Sequence, residues 1–424
     1  MLVSQLLSTS VLLCTVSTVL AYPGMEMKLA KILSRQDDAA GEGIDEGDSD
    51  ELLGDLITLQ DGQLTRVGLD IKQLLTGGST PESDDQYINV PALKSAQCKQ
   101  DTCCVWKYIA DDMAKLFRGP SGRCTKWARK AVRLGFHDAA GWSKGTASQG
   151  GGADGSLVLN PRELTLAENN GLQDIGQKMK EWYAKWHDKQ GFQDITMADL
   201  IQMGANVATV VCPLGPRIKS YVGRKDSSVE NPLLLPHPSD PADMLIELFE
   251  NKTIRPHGLV ALVGSHTTSQ QFFVDTKRAG DPQDSTPGVW DVLFYGQTQG
   301  TAPTPKRVFK FDSDVALSKH EKTQQEWQEF AGPGGQKHWN EDYAREYIRL
   351  SLLGVNNINT LTECTKVLPP AIRTYKAPDQ NNLNTWLNSN SQSALAKSLS
   401  DAINEGESIL NTIITSLLGR LKSL

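Results

Sequence analysis

The sequence predicts a mostly α-helical fold. Alternation of apolar and polar residues, which marks a half-buried strand, is nearly absent from the 424 residues. Apolar residues instead recur at helical spacing, and a hydrophobic share of 39% is enough for a large core. The predicted helices are residues 111–117, 125–140, 163–169, 172–189, 196–211, 240–250, 258–267 and 343–353.

Three of these helices are supported by a residue pair on one face or by a residue typical of a helix start. The fourth places Trp182 and Trp186 four positions apart, on the same side of a helix. Thr196, followed by Asp199, is typical of the start of a helix, and a long apolar stretch comes after it. Pro256 marks the boundary before the seventh helix.

The N-terminal part of the chain is expected to lie outside the folded domain. Residues 1–21 are predicted to be a secretory signal peptide, with an apolar run and a small-residue cleavage site that ends at Ala21. Residues 22–90 are interpreted as a disordered pro-segment and linker, because residues 37–51 carry eight acidic side chains and no basic one. Within it, residues 52–75 have helical apolar spacing.

Charge and cysteine content narrow the class of protein. A formal net charge of −7 argues against a nucleic-acid partner, and after the signal no stretch is apolar and long enough for a transmembrane anchor. Of seven cysteines, Cys14 leaves with the signal, and an even number remains in an exported chain, which predicts disulfides. Counting alone allows fifteen pairings of these six.

The C-terminal extension, residues 365–424, has a separate character. From Leu395 onward its apolar residues follow a helical period, interrupted at Gly406. Such an amphipathic helix could bind a membrane or a partner, or dock on the protein's own surface. Docking is the commoner case and is the expectation here.

The chemistry-bearing residues are concentrated after Arg133. Helical spacing brings Arg133 and His137 onto one face, whereas Asp138 points elsewhere. A glycine-rich loop at residues 150–156 then offers oxygen ligands to a hard cation. Asn169 follows.

With these residues the chain resembles the plant, fungal and bacterial haem peroxidase superfamily, most closely the secreted fungal class II enzymes. The resemblance covers roughly residues 98–364, and the domain is placed at residues 91–364. It implies helices in two subdomains that sandwich haem b. The motifs, in family order, are RLGFHD from Arg133, GGADGS from Gly151, CPLGPR from Cys212, GSHTT around His266, DSTPGVWD from Asp284 and SDVAL from Ser313.

The resemblance implies roles for four residues around the haem. His266 is the axial ligand of the iron, and its other ring nitrogen donates to Asp314, which the SDVAL context favours over Asp312. On the open side, His137 transfers the peroxide proton and Arg133 stabilises the developing charge.

Two further residues and two cation sites complete the implied site. Asn169 holds the tautomer of His137, and Phe136 packs over the haem plane. Two Ca²⁺ ions flank the haem. The distal set is Asp138, the carbonyl of Gly152, Asp154 and Ser156; the proximal set is Thr267, Asp284, Thr286, the carbonyl of Val289 and Asp291.

The resemblance also implies the disulfide pairing. The pairs are Cys98–Cys104, Cys103–Cys364 and Cys124–Cys212. Gln325 stands at one position of a fourth bridge of the family, which is therefore expected to be missing. The sequon at Asn251 predicts N-glycosylation on a surface turn.

The chain departs from the lignin-degrading enzymes at two places. The three manganese ligands of those enzymes correspond to Lys126, Lys130 and Phe272, which cannot hold Mn²⁺, so no manganese site is expected. The exposed tryptophan that relays electrons corresponds to Ala261. The other tryptophans considered for a relay are interpreted as packing residues: Trp127, Trp142 and Trp290.

The sequence thus predicts a secreted, extracellular, monomeric peroxidase that reduces hydrogen peroxide and oxidises small phenolic or similar donors at the haem edge. The alternative is a non-catalytic secreted binding protein on a calcium-stabilised peroxidase scaffold. A scaffold without activity is expected to lose at least one of the key polar residues, and all five are present: Arg133, His137, Asn169, His266 and Asp314.

Overall fold

A computed structural model describes residues 47–390 and 392–421, with the side chains of residues 417 and 419–421 left aside. The mostly α-helical fold is confirmed. The described part contains sixteen α-helices and one two-stranded antiparallel sheet, in which Tyr221 of β1 (Tyr221–Val222) lies opposite Glu363 of β2 (Thr362–Glu363). The helices are α1 (Arg66–Leu75), α2 (Ala96–Gln100), α3 (Thr102–Phe117), α4 (Lys126–Ala139), α5 (Ser156–Leu159), α6 (Gln173–Tyr183), α7 (Met197–Val211), α8 (Ala242–Glu250), α9 (Pro256–Val263), α10 (Leu293–Gln299), α11 (Asp312–Leu317), α12 (Gln324–Ala331), α13 (Gly335–Leu350), α14 (Gln380–Leu387), α15 (Ala394–Asn404) and α16 (Ile409–Leu421).

Shorter helical turns connect these helices. A π-helical turn, Ala184–Lys189, continues α6. The 3₁₀ turns are Gly54–Ile57, Asp61–Gln63, Ala147–Gln149, Glu163–Thr165, Ala167–Asn169, Gly264–Thr268, Thr276–Arg278, Ile358–Thr360 and Thr365–Val367. The predicted helix 163–169 is therefore two such turns.

The core is built on α7, whose fifteen residues are all buried. The Thr196 side chain caps this helix by accepting a hydrogen bond from the Asp199 amide, as its sequence predicts. Helix α4 packs very closely against α7 and α13, since a Cβ at Gly135 would lie 2.9 Å from Cβ of Ala205 on α7 and 2.2 Å from the Tyr347 hydroxyl oxygen on α13. Only glycine allows that approach, which positions the polar face of α4.

Helix α9 leads into the second histidine of the site. It starts at Pro256 and packs on α13. After Val263 the chain tightens into the 3₁₀ turn Gly264–Thr268, so the predicted helix 258–267 is wrong in its last four residues. Tyr295 leaves no room for a side chain at Gly264, because a Cβ there would lie 2.1 Å from the tyrosine hydroxyl oxygen.

Three disulfides cross-link the described part of the chain. Cys98 is joined to Cys104, Cys103 to Cys364, and Cys124 to Cys212. These are the pairs that the resemblance implies. The second closes a loop of 261 residues and so holds the end of the peroxidase-like region on α3.

The expectation of disorder in residues 22–90 is wrong for the part that the structure describes. Residues 47–90 contain α1, and Leu53, Leu56 and Ile71 are buried in the main core. The acidic run also has cationic partners, because an oxygen of Asp48 lies 3.1 Å from Nε of Arg345. Arg345 lies about 300 positions from Asp48 along the chain, so the local charge run does not indicate this contact. Residues 1–46, including the predicted signal peptide, lie outside the described residues.

The C-terminal extension docks on the domain through polar contacts. The guanidinium of Arg123 pairs with the Asp379 carboxylate at 2.5 Å, and both side chains are completely buried. Lys126 pairs with Glu405 at 2.5 Å, and the Arg129 guanidinium donates to the backbone carbonyl of Asn404 at 3.0 Å. Helices α14 and α15 also bury a small apolar cluster of their own, containing Leu383, Trp386, Leu387, Leu399 and Ile403.

The last helix is less covered than the two before it. In α16, Ile409 is buried, whereas Leu410, Ile414 and Leu418 are exposed along one face. In the described part of the chain, no helix has both the length and the apolar character that crossing a membrane requires. The sequon residue Asn251 is exposed at the C-terminal end of α8.

Candidate active site

Helix α4 places Arg133 and His137 in direct contact. Nε of Arg133 donates to Nε2 of His137 at 3.2 Å, and Nδ1 of His137 lies 2.7 Å from Oδ1 of Asn169. The Asn169 amide is oriented by its own donation to the Glu163 carbonyl at 2.8 Å. Because Arg133 can only donate and an amide oxygen can only accept, His137 carries its proton on Nδ1 and a lone pair on Nε2.

The protein keeps His137 neutral. Burial, together with the neighbouring Arg133 cation, lowers the pKa of His137 well below its ordinary value. The arginine is itself fixed, since its terminal nitrogens donate to the carbonyls of Asn170 at 2.7 Å and Glu168 at 2.8 Å. Burial lowers the pKa of Arg133 to about 10, so it remains a cation at neutral pH. Phe136 stacks on Phe249 with ring centroids 6.1 Å apart.

His266 lies in the 3₁₀ turn after α9 and is held at one nitrogen. Its Nδ1 lies 3.1 Å from Oδ2 of Asp314, a buried carboxylate near the start of α11. Asp312, the alternative partner, is exposed. The rings of Phe294 and Phe311 stand nearly perpendicular to the imidazole, with centroid distances of 5.8 and 5.6 Å.

The surroundings of His266 fit an axial haem ligand. Among the described residues its Nε2 has no hydrogen-bond partner, although Asp314 holds Nδ1. Its side chain is 34% exposed, whereas Gly264, Thr267 and Thr268 around it are buried. A bare imidazole nitrogen whose other nitrogen is tied to a carboxylate is what a metal-binding histidine requires.

The predicted distal cation ligands converge next to α4. Asp138 is completely buried and accepts hydrogen bonds from the amides of Gly155 and Leu157. Burial and the nearby Asp154 carboxylate raise the pKa of Asp138 well above its ordinary value. The buried Oγ of Ser156 has no hydrogen-bond partner in the described structure. The cluster therefore has both the excess negative charge and the free oxygen that a cation would satisfy.

The proximal set converges around Thr267, the residue after His266. The Thr267 hydroxyl donates to Asp284 at 2.5 Å and lies 3.4 Å from the Val289 carbonyl. The Thr286 hydroxyl lies 3.2 Å from Asp284 and 3.0 Å from Asp291. Burial raises the pKa of Asp291 to about 6, and burial with Asp291 raises that of Asp284 well above its ordinary value. All five predicted ligands thus meet at one place.

Asn231 links residues of the distal cluster but was not among the predicted site residues. The side-chain amide of Asn231 donates to the Asp138 carbonyl at 3.0 Å and accepts from the Gly152 amide at 3.2 Å. Its backbone amide donates to Glu163 at 3.0 Å. Asn231 lies 93 positions from Asp138 in an unpatterned loop, so no local signal points to it.

The positions that correspond to a manganese site carry other contacts. Lys126 is paired with Glu405 of the C-terminal extension, and Lys130 pairs with Asp174 at 2.6 Å. Phe272 is partly exposed. The neighbouring Phe273 ring lies over Gly171, where a Cβ would come within 2.8 Å of it.

The position that corresponds to the tryptophan relay does not reach the surface. Ala261 is completely buried in α9. Trp290 is also completely buried and stacks on Trp339 at 5.1 Å, as expected for a packing residue.

Comparison with known proteins agrees with this geometry. The family model described as Peroxidase matches residues 109–333. The chain is 29% identical over 297 residues to a Peroxidase of Arthromyces ramosus, covering 65% of this chain and 78% of that protein. It is 31% identical to Ligninase C of Trametes versicolor (63% and 75% covered) and 30% identical to Manganese peroxidase H4 of Phanerodontia chrysosporium (66% and 78%). The chain therefore belongs to the haem peroxidase superfamily.

Proposed function

We propose that this peroxidase reduces hydrogen peroxide at a haem b held by His266 and oxidises small phenolic or similar donors in one-electron steps. The observation that carries the proposal is the pair of histidines. Nδ1 of each is tied to an oxygen, Nε2 of His137 accepts from Arg133, and Nε2 of His266 has no partner among the described residues. Haem, when bound, supplies the redox chemistry that no side chain here can supply.

His137 is the proton-transfer group of this proposal. Its Nε2 lone pair can accept a proton from one oxygen of hydrogen peroxide and return it to the other, which leaves as water. Neutrality at rest is required for the first transfer, and burial beside Arg133 provides it. Asn169 keeps the resting proton of the ring on Nδ1 during both transfers, because its side-chain oxygen accepts a hydrogen bond from that atom.

Arg133 supplies the charge for O–O bond cleavage. Negative charge develops on the departing oxygen, and a preorganised guanidinium stabilises it. The carbonyls of Glu168 and Asn170 hold the group in place, so little reorganisation is needed when the peroxide enters. Phe136, stacked on Phe249, would pack over the haem plane.

Asp314 acts through His266. A buried carboxylate that accepts from Nδ1 fixes the ring orientation and raises the electron density at Nε2. Gln283 also approaches this carboxylate, with its amide nitrogen 3.4 Å from Oδ2. The contact between His266 and Asp314 favours an electron-rich iron ligand, as a peroxidase needs.

The proposed donors are small aromatic molecules rather than Mn²⁺. The two lysines at the manganese positions are cations already paired with carboxylates, and the partner of Lys126 belongs to the C-terminal extension. Ala261 is buried, so the usual surface relay for bulky donors is also missing. Saturable oxidation of Mn²⁺ in steady-state assays would contradict this specificity.

We also infer two structural Ca²⁺ ions, secretion and a monomeric state. The two clusters of buried carboxylates and hydroxyls beside His137 and His266 fit oxygen-seeking cations. Three disulfides fit an oxidising, extracellular location.

The role of His137 is tested by its replacement. His137→Ala should slow the reaction with hydrogen peroxide by about 10²- to 10⁴-fold, the usual contribution of a positioned acid–base group. Stopped-flow absorbance of the haem measures the rate. His320→Ala, which removes a histidine paired with Asp243 outside the site, is the control and should leave the rate unchanged. Equal rates in wild type and His137→Ala would contradict the role.

The pH dependence tests the effect of Arg133 on His137. Because the pKa of His137 is lowered, the rate with peroxide should persist below pH 6.5 and fall only as pH drops through that lowered pKa. Arg133→Gln removes one of the causes, so the acid limb should move to higher pH. Lys130→Gln removes a cation of the same helix that pairs with Asp174, and should leave the limb in place. An unmoved limb in Arg133→Gln would count against this electrostatic account.

Calcium removal tests the two cation clusters. Chelation leaves buried carboxylates facing each other, so the melting temperature should fall, and added Ca²⁺ but not Mg²⁺ should restore it. Differential scanning calorimetry with metal analysis measures both the shift and the number of ions. Asp284→Asn should lower the calcium content by one ion per chain. An unchanged melting temperature after chelation would contradict the inference.

A further inference from the structure

Four metal-ligating side chains meet outside the site described above. They are His257 on α9, Glu326 on α12, and His338 and Asp342 on α13. One ligand atom from each lies within 4.8 Å of all the others. We propose that these four side chains form a binding site for one zinc ion.

The distances between the ligand atoms match a tetrahedral zinc site. Nε2 of His257 lies 3.3 Å from Oε1 of Glu326 and 3.6 Å from Oδ2 of Asp342. Nε2 of His338 lies 3.7 Å and 3.0 Å from the same two oxygens. Zinc–nitrogen and zinc–oxygen bonds of about 2.0–2.1 Å place tetrahedral ligands about 3.3 Å apart. The four nitrogen–oxygen edges therefore bracket the value that a shared ion requires.

Hydrogen bonding does not account for this arrangement. Oε1 of Glu326 and Oδ2 of Asp342 are buried and accept no hydrogen bond in the described structure. Asp342 is 8% exposed as a residue, so bulk water does not satisfy its oxygen instead. Each imidazole nitrogen also lies between two oxygens, whereas its single proton could reach only one of them. An ion at the centre would satisfy all four atoms.

The surroundings support a cation at this place. Nδ1 of His257 lies 2.9 Å from Oδ1 of Asp48, which fixes the tautomer that leaves Nε2 available. Asp48 is balanced separately by Arg345 at 3.1 Å. Two carboxylates and two neutral imidazoles would then balance one divalent ion.

The donor set favours zinc over the cations of the peroxidase site. Ca²⁺ and Mg²⁺ prefer six or more oxygen ligands, whereas two imidazoles with two carboxylates suit four-coordinate zinc. The ion would join α9, α12 and α13, and through Asp48 the acidic N-terminal segment. Since α9 leads directly into the turn that carries His266, the proposed site braces that side of the fold.

Isothermal titration of the full-length, Ca²⁺-saturated protein with zinc chloride tests the proposal. One zinc ion per chain should bind to the wild type and raise its melting temperature. His338→Ala should weaken binding at least about tenfold, the lower limit for loss of an outer-shell partner. The His338 side chain is 42% exposed, so this variant should remain folded. Asp342→Asn should weaken binding similarly.

His237→Ala is the matched control, because His237 is an exposed histidine that lies outside the cluster and contacts Ser239. It should bind zinc as the wild type does. The absence of saturable zinc binding in the wild type would overturn the proposal. So would equal affinities in wild type, His338→Ala and Asp342→Asn, which would place the zinc elsewhere.

Discussion

The two histidines of the active site are each held at Nδ1 by an oxygen that can only accept a hydrogen bond. Asn169 holds His137 and the buried Asp314 holds His266. Both constraints fix a proton on Nδ1, although the proposed roles differ: one histidine moves a proton and the other binds a metal. The cation clusters stand directly beside these histidines, at Asp138 and Thr267, so the same packing fixes the ligands and the proton-transfer group.

Much of the fold was predictable from the sequence, and the exceptions have local causes. The 196–211 helix follows from its cap and apolar run, and its predicted start is confirmed at Thr196. The turn at Gly264–Thr268 was predicted as helix because apolar spacing does not distinguish a 3₁₀ turn from an α-helix. The acidic segment was predicted as disordered because its own charges repel each other, and its partner Arg345 is distant in sequence.

The active site was predictable to the extent that its residues lie close in sequence or in recognisable motifs. Helical spacing alone brings Arg133 to His137, and the structure places them in contact. Asn231 was missed because it reaches the site from an unpatterned loop. Lys126 and Glu405 are 279 positions apart in the sequence. Their contact, which joins the C-terminal extension to α4, could therefore be found only from the structure.

The central claim is that His266 binds the haem iron, and the most direct test compares haem binding in the wild type and in His266→Ala. Titration of the haem-free protein should produce one haem per chain with a Soret band and an iron–histidine stretch in the Raman spectrum of the reduced form. His266→Ala should lose that stretch, and Asp314→Asn should keep haem but shift the stretch to lower frequency, as expected for a less electron-rich ligand. An unchanged stretch in His266→Ala would show that another residue holds the iron.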